Sequence, residues 1–296
     1  MVYFAFQHHG RSTSFPSQTQ PDYIKAEIEL NKIKTWESSC LSCRGCVSSD
    51  TIQTGLVGLA ELYNCVHDLL GSPTTQQTIM KHHDEPIVEE VVEGSLIFID
   101  CCGKIKELLA SMREHLQELE SAMRTKGGDS SIQNNINAYI NLRKRIKKDV
   151  IKNLKILKQK DVLFSPILIE DQQLALLIKL LREVFAATTS VFKTILHFLG
   201  VEDLQIKFNG WSSISKMMIS RSKVNGRELN SANEVKSIDI ILGETASIKN
   251  SKFDVQVIVR MLKSLDAKIQ GLESGMDLVF RKLIKNRVCF LNMITF

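Results

Sequence analysis

Hydrophobic residues recur at steps of three and four over most of this chain, the period of a helix with one buried stripe. Ile52, Leu56, Leu59, Leu62, Tyr63, Val66, Leu69 and Leu70 predict a helix over 51–70, stopped by Gly71-Ser72-Pro73. The next helix has a sharp start at Asp84-Glu85-Pro86, with a polar cap candidate, an acidic first turn and a proline at the first helical position. Its seam, Phe98, Cys102, Ile105, Leu109, Met112, Leu116, Leu119 and Met123, alternates fours and threes out to Thr125. A helix from Pro86 to Thr125 would be about 60 Å long at about 1.5 Å per residue. Lys126-Gly127-Gly128-Asp129-Ser130 then stops and restarts the chain. A turn this short makes the following helix, with Ile132, Ile136, Tyr139, Ile146, Val150, Leu154 and Leu157, an antiparallel neighbour.

Further helices flank this hairpin. A short one follows Pro21-Asp22, with Ile24, Ile28 and Ile33 on one face, and leads into a Ser- and Cys-rich loop over 38–50. Beyond Pro166, Leu174, Leu177, Leu181, Val184, Thr188, Val191, Ile195 and Phe198 form a stripe widened by Ile178, Phe185, Phe192 and Leu199, so this helix should be the most buried. The basic stretch 205–232 is read as a mobile connector. The last helix has the cleanest seam: Val255, Ile258, Leu262, Leu265, Ile269, Leu272, Met276, Val279, Leu283 and Phe290. On its outer face Glu273, Asp277, Arg281 and Lys285 follow at i, i+4 with the acids first, the favourable order. The predicted fold is all-α: an elongated bundle of five or six long helices with heptad-like seams. It comprises a mobile polar tail over 1–20 and a single helical domain over 21–296.

Composition narrows the class. With 44% hydrophobic and 24% charged residues the chain is not globally disordered. Only 5 Pro and 15 Gly favour long helices over strands and turns. Seven Cys, an odd number, do not resemble a disulfide framework and suit a reducing compartment. The first residues lack a secretory pattern, and the most apolar stretch, Val184 to Gly200, is interrupted by Lys193 and His197. The expected location is intracellular, cytoplasmic or peripheral to a membrane.

Candidate chemistry is sparse. Cys40, Cys43 and Cys46 have the x-x spacing of thiolate metal sites, but no second pair follows and the flanking residues are serines, so a small-residue loop is the preferred reading. Cys101 and Cys102 fall on a helix as small core residues, and no two histidines take the H-E-x-x-H arrangement. No Gly-rich phosphate loop and no G-x-S-x-G elbow appears. The sequence predicts no enzyme, no cofactor and no metal.

Charge points to partners instead. Residues 143–160 carry nine Lys/Arg against Asp149, whereas 84–120 carry ten acids against Lys104, Lys106 and Arg113. The antiparallel hairpin predicts that these segments match, with Glu114 near Arg143. Lys144, Lys148, Lys152 and Lys155 point away from the seam and form a candidate contact with an anionic membrane surface; with no aromatics interleaved, nucleic acid is disfavoured. In the tail, Arg11-Ser12-Thr13-Ser14-Phe15-Pro16 has the R-S-x-S-x-P form read by 14-3-3-type phosphopeptide binders, with Arg11, Ser14 and Pro16 as the docking residues.

The chain resembles the plant-specific BYPASS-like family. The resemblance rests on residues 11–17; on 58–70 with Thr75-Gln76-Gln77; and on 94–103. It continues through 118–124 with Tyr139, Arg143 and Lys144, and ends with Phe280-Arg281-Lys282-Leu283-Ile284-Lys285-Asn286-Arg287 through Asn292. It implies a non-enzymatic plant protein linked to root and shoot development, whose named member restrains a mobile root-derived signal. No catalytic residues carry over. The expected role is a developmental regulator or adaptor; the alternative, from the Lys144, Lys148, Lys152 and Lys155 face, is a peripheral membrane scaffold.

Overall fold

A computed structural model describes residues 21–42, 47–125, 129–160, 169–200, 233–247 and 255–295. Among the described residues there are eight helices and no strand: α1 (Pro21–Ser42), α2 (Ser49–Gly71), α3 (Pro73–Lys81), α4 (Pro86–Arg124), α5 (Asp129–Lys160), α6 (Gln172–Gly200), α7 (Glu234–Ser247) and α8 (Val255–Ile294). Six are long; α3 and α7 are additions to the predicted elements. The tail over 1–20 and the connector over 205–232 lie outside the described residues.

Side-chain caps mark the starts of α2, α3 and α6, whereas at α4 Pro86 takes the first turn and Glu85, at the predicted cap position, makes no side-chain cap bond. Ser48 caps α2 by accepting from the Thr51 N–H. The Gly71-Ser72-Pro73 stop is also the start of α3, since Ser72 accepts from the Thr75 N–H and Pro73 takes the first turn, where its missing donor is not needed. Asp171 accepts from the Gln173 and Leu174 N–H groups and so caps α6.

The long helices pack through the predicted seams. Every seam residue of α4 from Phe98 to Met123 is buried. On α8, Ile258 to Leu283 and Phe290 are buried, whereas Val255 at the helix start is 44% exposed. α6 buries sixteen of its 29 residues and touches α1 through α5, so the most apolar helix is the hub. Phe185 and Phe192 of α6 meet Phe98 of α4 at ring-centroid distances of 5.1 and 6.2 Å. α8 packs most extensively on α4 and α2. It runs antiparallel to α4, with Arg287 at Val92 and Ser95 and Asp266 at Arg113, and parallel to α2.

Three expectations are corrected. The N-terminal helix is not short: α1 runs to Ser42 and removes the first turns of the predicted loop. Its buried face is Ala26, Leu30 and Ile33, while Ile24 and Ile28 are 45% and 50% exposed. Trp36 extends the buried face and donates to the Thr51 carbonyl, which sets the α1–α2 register. The charge match also differs. Arg143 pairs with Asp239 of α7 and not with Glu114. The acids and bases of α4 answer α8: Lys106 meets Asp277, Arg113 meets Asp266 and Glu273, and Lys263 meets Glu120. Glu273 and Asp277 therefore pair with α4; of the predicted outer face, Asp277, Arg281 and Lys285 are exposed and Glu273 is half-buried.

Candidate contact surface

The basic helix α5 buries Ile136, Tyr139, Leu142, Ile146, Val150 and Leu157. A helix with one apolar stripe sends residues half a turn away into solvent. Lys144, Lys148, Lys152 and Lys155 are accordingly all exposed, in one row along the helix. Lys152 reaches Asp149 at 3.0 Å, but with side-chain exposures of 74% and 44% that pair is solvent-screened and contributes about 0–1 kcal/mol. Ile151, 50% exposed, lies at the edge of the row.

Burial first, and then the charges of Lys158 and Lys193, push the His197 imidazole below its ordinary pKa. Burial first, and then Lys285 and Lys282 against the opposing Asp68, likewise lower the His67 imidazole of α2.

Arg143 lies in the basic run but not on the lysine row. It is buried, donates from Nε to both Asp239 oxygens at 2.9 and 3.0 Å, and donates from Nη1 to the Leu199 carbonyl at 2.6 Å. The Tyr139 hydroxyl donates to the same Asp239. Burial and the Asp239 charge raise the Tyr139 phenol well above its ordinary range. This cluster joins α5, α6 and α7.

The remaining candidates separate. Cys40 lies on helix α1 and not in a loop, and Cys43 and Cys46 lie outside the described residues. Among the described residues no group of His, Cys, Asp and Glu has the arrangement of a metal site. Burial pushes the Cys101 thiol up to about 12 and Cys102 higher still, so both are held as protonated core thiols, as their helix position predicts. Arg11, Ser14 and Pro16 lie outside the described residues. No helix among the described residues is long and apolar enough to cross a membrane.

Two polar clusters escape a reading by motif. His82 bridges Glu85 at 2.5 Å and Asp171 at 3.1 Å, tying the end of α3 to the start of α6. Asn286 interrupts the α8 seam: its amide donates to the Tyr63 and Lys282 carbonyls at 2.9 Å, while its buried Oδ1 has no partner. It borders a cavity of about 30 Å³ lined by Tyr63, Val91, Phe185 and Leu283, room enough for a water. A polar residue at a seam position was the available signal for Asn286. For Asp171, the signal was an acid one residue before a helical pattern.

No curated protein and no solved structure matches the chain. The family model described as Protein BPS1 matches residues 55–293. The match runs from within α2 to the end of α8 and includes the lysine row; the tail with Ser14 lies outside it. The chain belongs to the BPS1 family, the BYPASS-like family.

Proposed function

We propose that this protein acts by contact and not by chemistry, as an adaptor-type regulator of plant root and shoot development that docks on anionic partners through α5. The observation that carries this reading is the row of four exposed lysines, Lys144, Lys148, Lys152 and Lys155, on a helix whose opposite side is fully committed to the core. The polar side chains of the interior are used to join helices, as with Arg143–Asp239 and Tyr63–Thr188.

A second reading, a peripheral membrane scaffold, draws on Ile151, exposed beside the lysines. Lysines near an anionic bilayer contribute about 1 kcal/mol each, so a four-lysine face gives measurable, salt-sensitive binding. Co-sedimentation with phosphatidylserine and phosphatidylcholine vesicles separates the readings. Anion-selective binding that falls with salt and is lost on changing all four lysines to Glu supports the scaffold. Absence of vesicle binding leaves a protein partner, and a Ser14 phosphopeptide offered to a 14-3-3 protein is then the next assay. If the four-Glu variant complements a BYPASS-deficient plant as well as the wild type does, the α5 face is not the contact surface.

A further inference from the structure

Helix α7 is attached differently from its neighbours. Among its described side chains it buries three apolar ones, Val235, Ile238 and Leu242, at helical spacing, where α8 buries ten and α6 fourteen. Its other anchors are carboxylates. Asp239 receives both the Arg143 guanidinium and the Tyr139 hydroxyl. Glu234 accepts from Lys268 of α8 at 2.7 Å and from the Ser49 hydroxyl at the start of α2 at 2.9 Å. Asn233, which caps α7 by accepting from the Lys236 N–H, donates to the Phe198 carbonyl. The seat is therefore a groove formed by α5, α8 and the ends of α2 and α6. It has a small apolar floor and one cationic group at each side.

We propose that this groove is a docking site for an acidic amphipathic helix of a partner protein, and that α7 occupies it as an internal, displaceable substitute. The occupant is specified by α7 itself: apolar residues at i, i+3 and i+7, a carboxylate one residue before the first of them for Lys268, and another one residue after the second for Arg143. Elements with few buried apolar contacts open at lower free energy than the body they pack on, so α7 is the helix a competitor can replace. Recognition of this kind, an amphipathic helix in a groove, reads anchors at i, i+3 or i+4, and i+7. This inference concerns a different surface from the α5 lysine row and does not depend on it.

The test uses the full chain with α7 unseated by Ile238→Asp and Leu242→Asp. The probe is a fluorescein-labelled peptide of residues 233–247, read by anisotropy. The unseated protein should bind the peptide at least tenfold more tightly than the wild type, whose own helix competes at high effective concentration. The affinity should fall with salt. A peptide carrying Asp239→Lys should bind at least tenfold more weakly, and Arg143→Glu in the unseated protein should reverse that preference. No binding to an unseated protein of unchanged helical content overturns the proposal, as does equal binding of both peptides. A concentration-dependent dimer that the peptide dissolves would assign the groove to α7 of a second copy and overturn the partner reading. Hydrogen exchange of the wild type gives an independent check. Amides of α7 should exchange at least tenfold faster than those at the centres of α4 and α8; protection equal to theirs overturns displaceability.

Discussion

The approach of α8 to α2 can be tested by a series of glycine-to-alanine changes within helices, because each site meets a different neighbour. A Cβ on Gly275 would lie 2.9 Å from Leu56 Cδ1 and 3.2 Å from Leu56 Cβ, and the Cβ moves only if the α2 backbone does. A Cβ on Gly271, one turn earlier, would meet Gln53 Nε2 at 2.2 Å, the far end of a side chain that can swing into solvent. A Cβ on Gly103 in α4 would meet nothing within 4 Å. Alanine in a helix is favoured over glycine by about 1 kcal/mol, so Gly103→Ala should stabilise by about that amount. Gly271→Ala should fall between no change and the same gain. Gly275→Ala receives the same propensity gain but overfills a packed interface, which costs about 1–3 kcal/mol. It should therefore lie about 1–3 kcal/mol below Gly103→Ala. Urea unfolding followed by circular dichroism at 222 nm resolves such differences. If Gly275→Ala is as stable as Gly103→Ala, α2 and α8 are not held at this separation and the packing described here is wrong.

Two further outcomes follow from polar groups inside the bundle. Asn286→Leu removes a buried acceptor that lacks a partner along with two donated bonds, so stability should change by no more than about 1 kcal/mol, whereas Asn286→Asp sets a carboxylate against two carbonyls and should cost about 3 kcal/mol or more, both read as shifts in the urea midpoint. The Asp171 carboxylate is held well below its ordinary pKa by the Leu174 N–H first, and by Lys81 and His82. Because the folded value is the depressed one, this stabilisation is present above about pH 4 and fades as pH falls below it. Asp171→Asn should accordingly narrow the stability difference between pH 6 and pH 3, and an unchanged acid limb would show that Asp171 does not contribute.

The long helices were legible because each carries an apolar stripe too regular to belong to any other element. The errors fall where that signal is short or where the partner is remote. α7 has three apolar anchors, fewer than a seam needs to stand out from a polar stretch, and α3 is hidden because its first residues, Ser72 and Pro73, also read as a stop. In α1 the buried face runs through Ala26, a small residue that periodicity undervalues beside Ile24 and Ile28. The charge pairing was misassigned for a different reason. Sequence proximity makes α5 the obvious partner for the acids of α4, yet α8 arrives from more than a hundred residues away to flank the same seam, so Arg113 meets Asp266 and Glu273. Arg143 and Asp239 are likewise distant in sequence, and neither residue alone signals a buried pair.

The lysine row was legible for the same reason as the seam, and its cost to the fold bears on its role. Lys144, Lys148 and Lys152 stand four residues apart, and Lys155 three further on, so each meets a like charge one turn away. Such pairs destabilise a helix by about 0.2–0.5 kcal/mol each. Asp149 offsets part of this at Lys152, in an exposed pair of small value. A face kept only for solubility would do as well with mixed signs, which would add stability in place of removing it. Changing Lys148 alone to Glu places an acid between Lys144 and Lys152 and should raise stability by a few tenths of a kcal/mol to about 1 kcal/mol. If the row is a contact surface, the same change should weaken binding to anionic vesicles or to the protein partner. Opposite signs for stability and binding mark a surface maintained for function at the expense of the fold. A variant that gains stability and loses no binding would make the row a solvated face and nothing more.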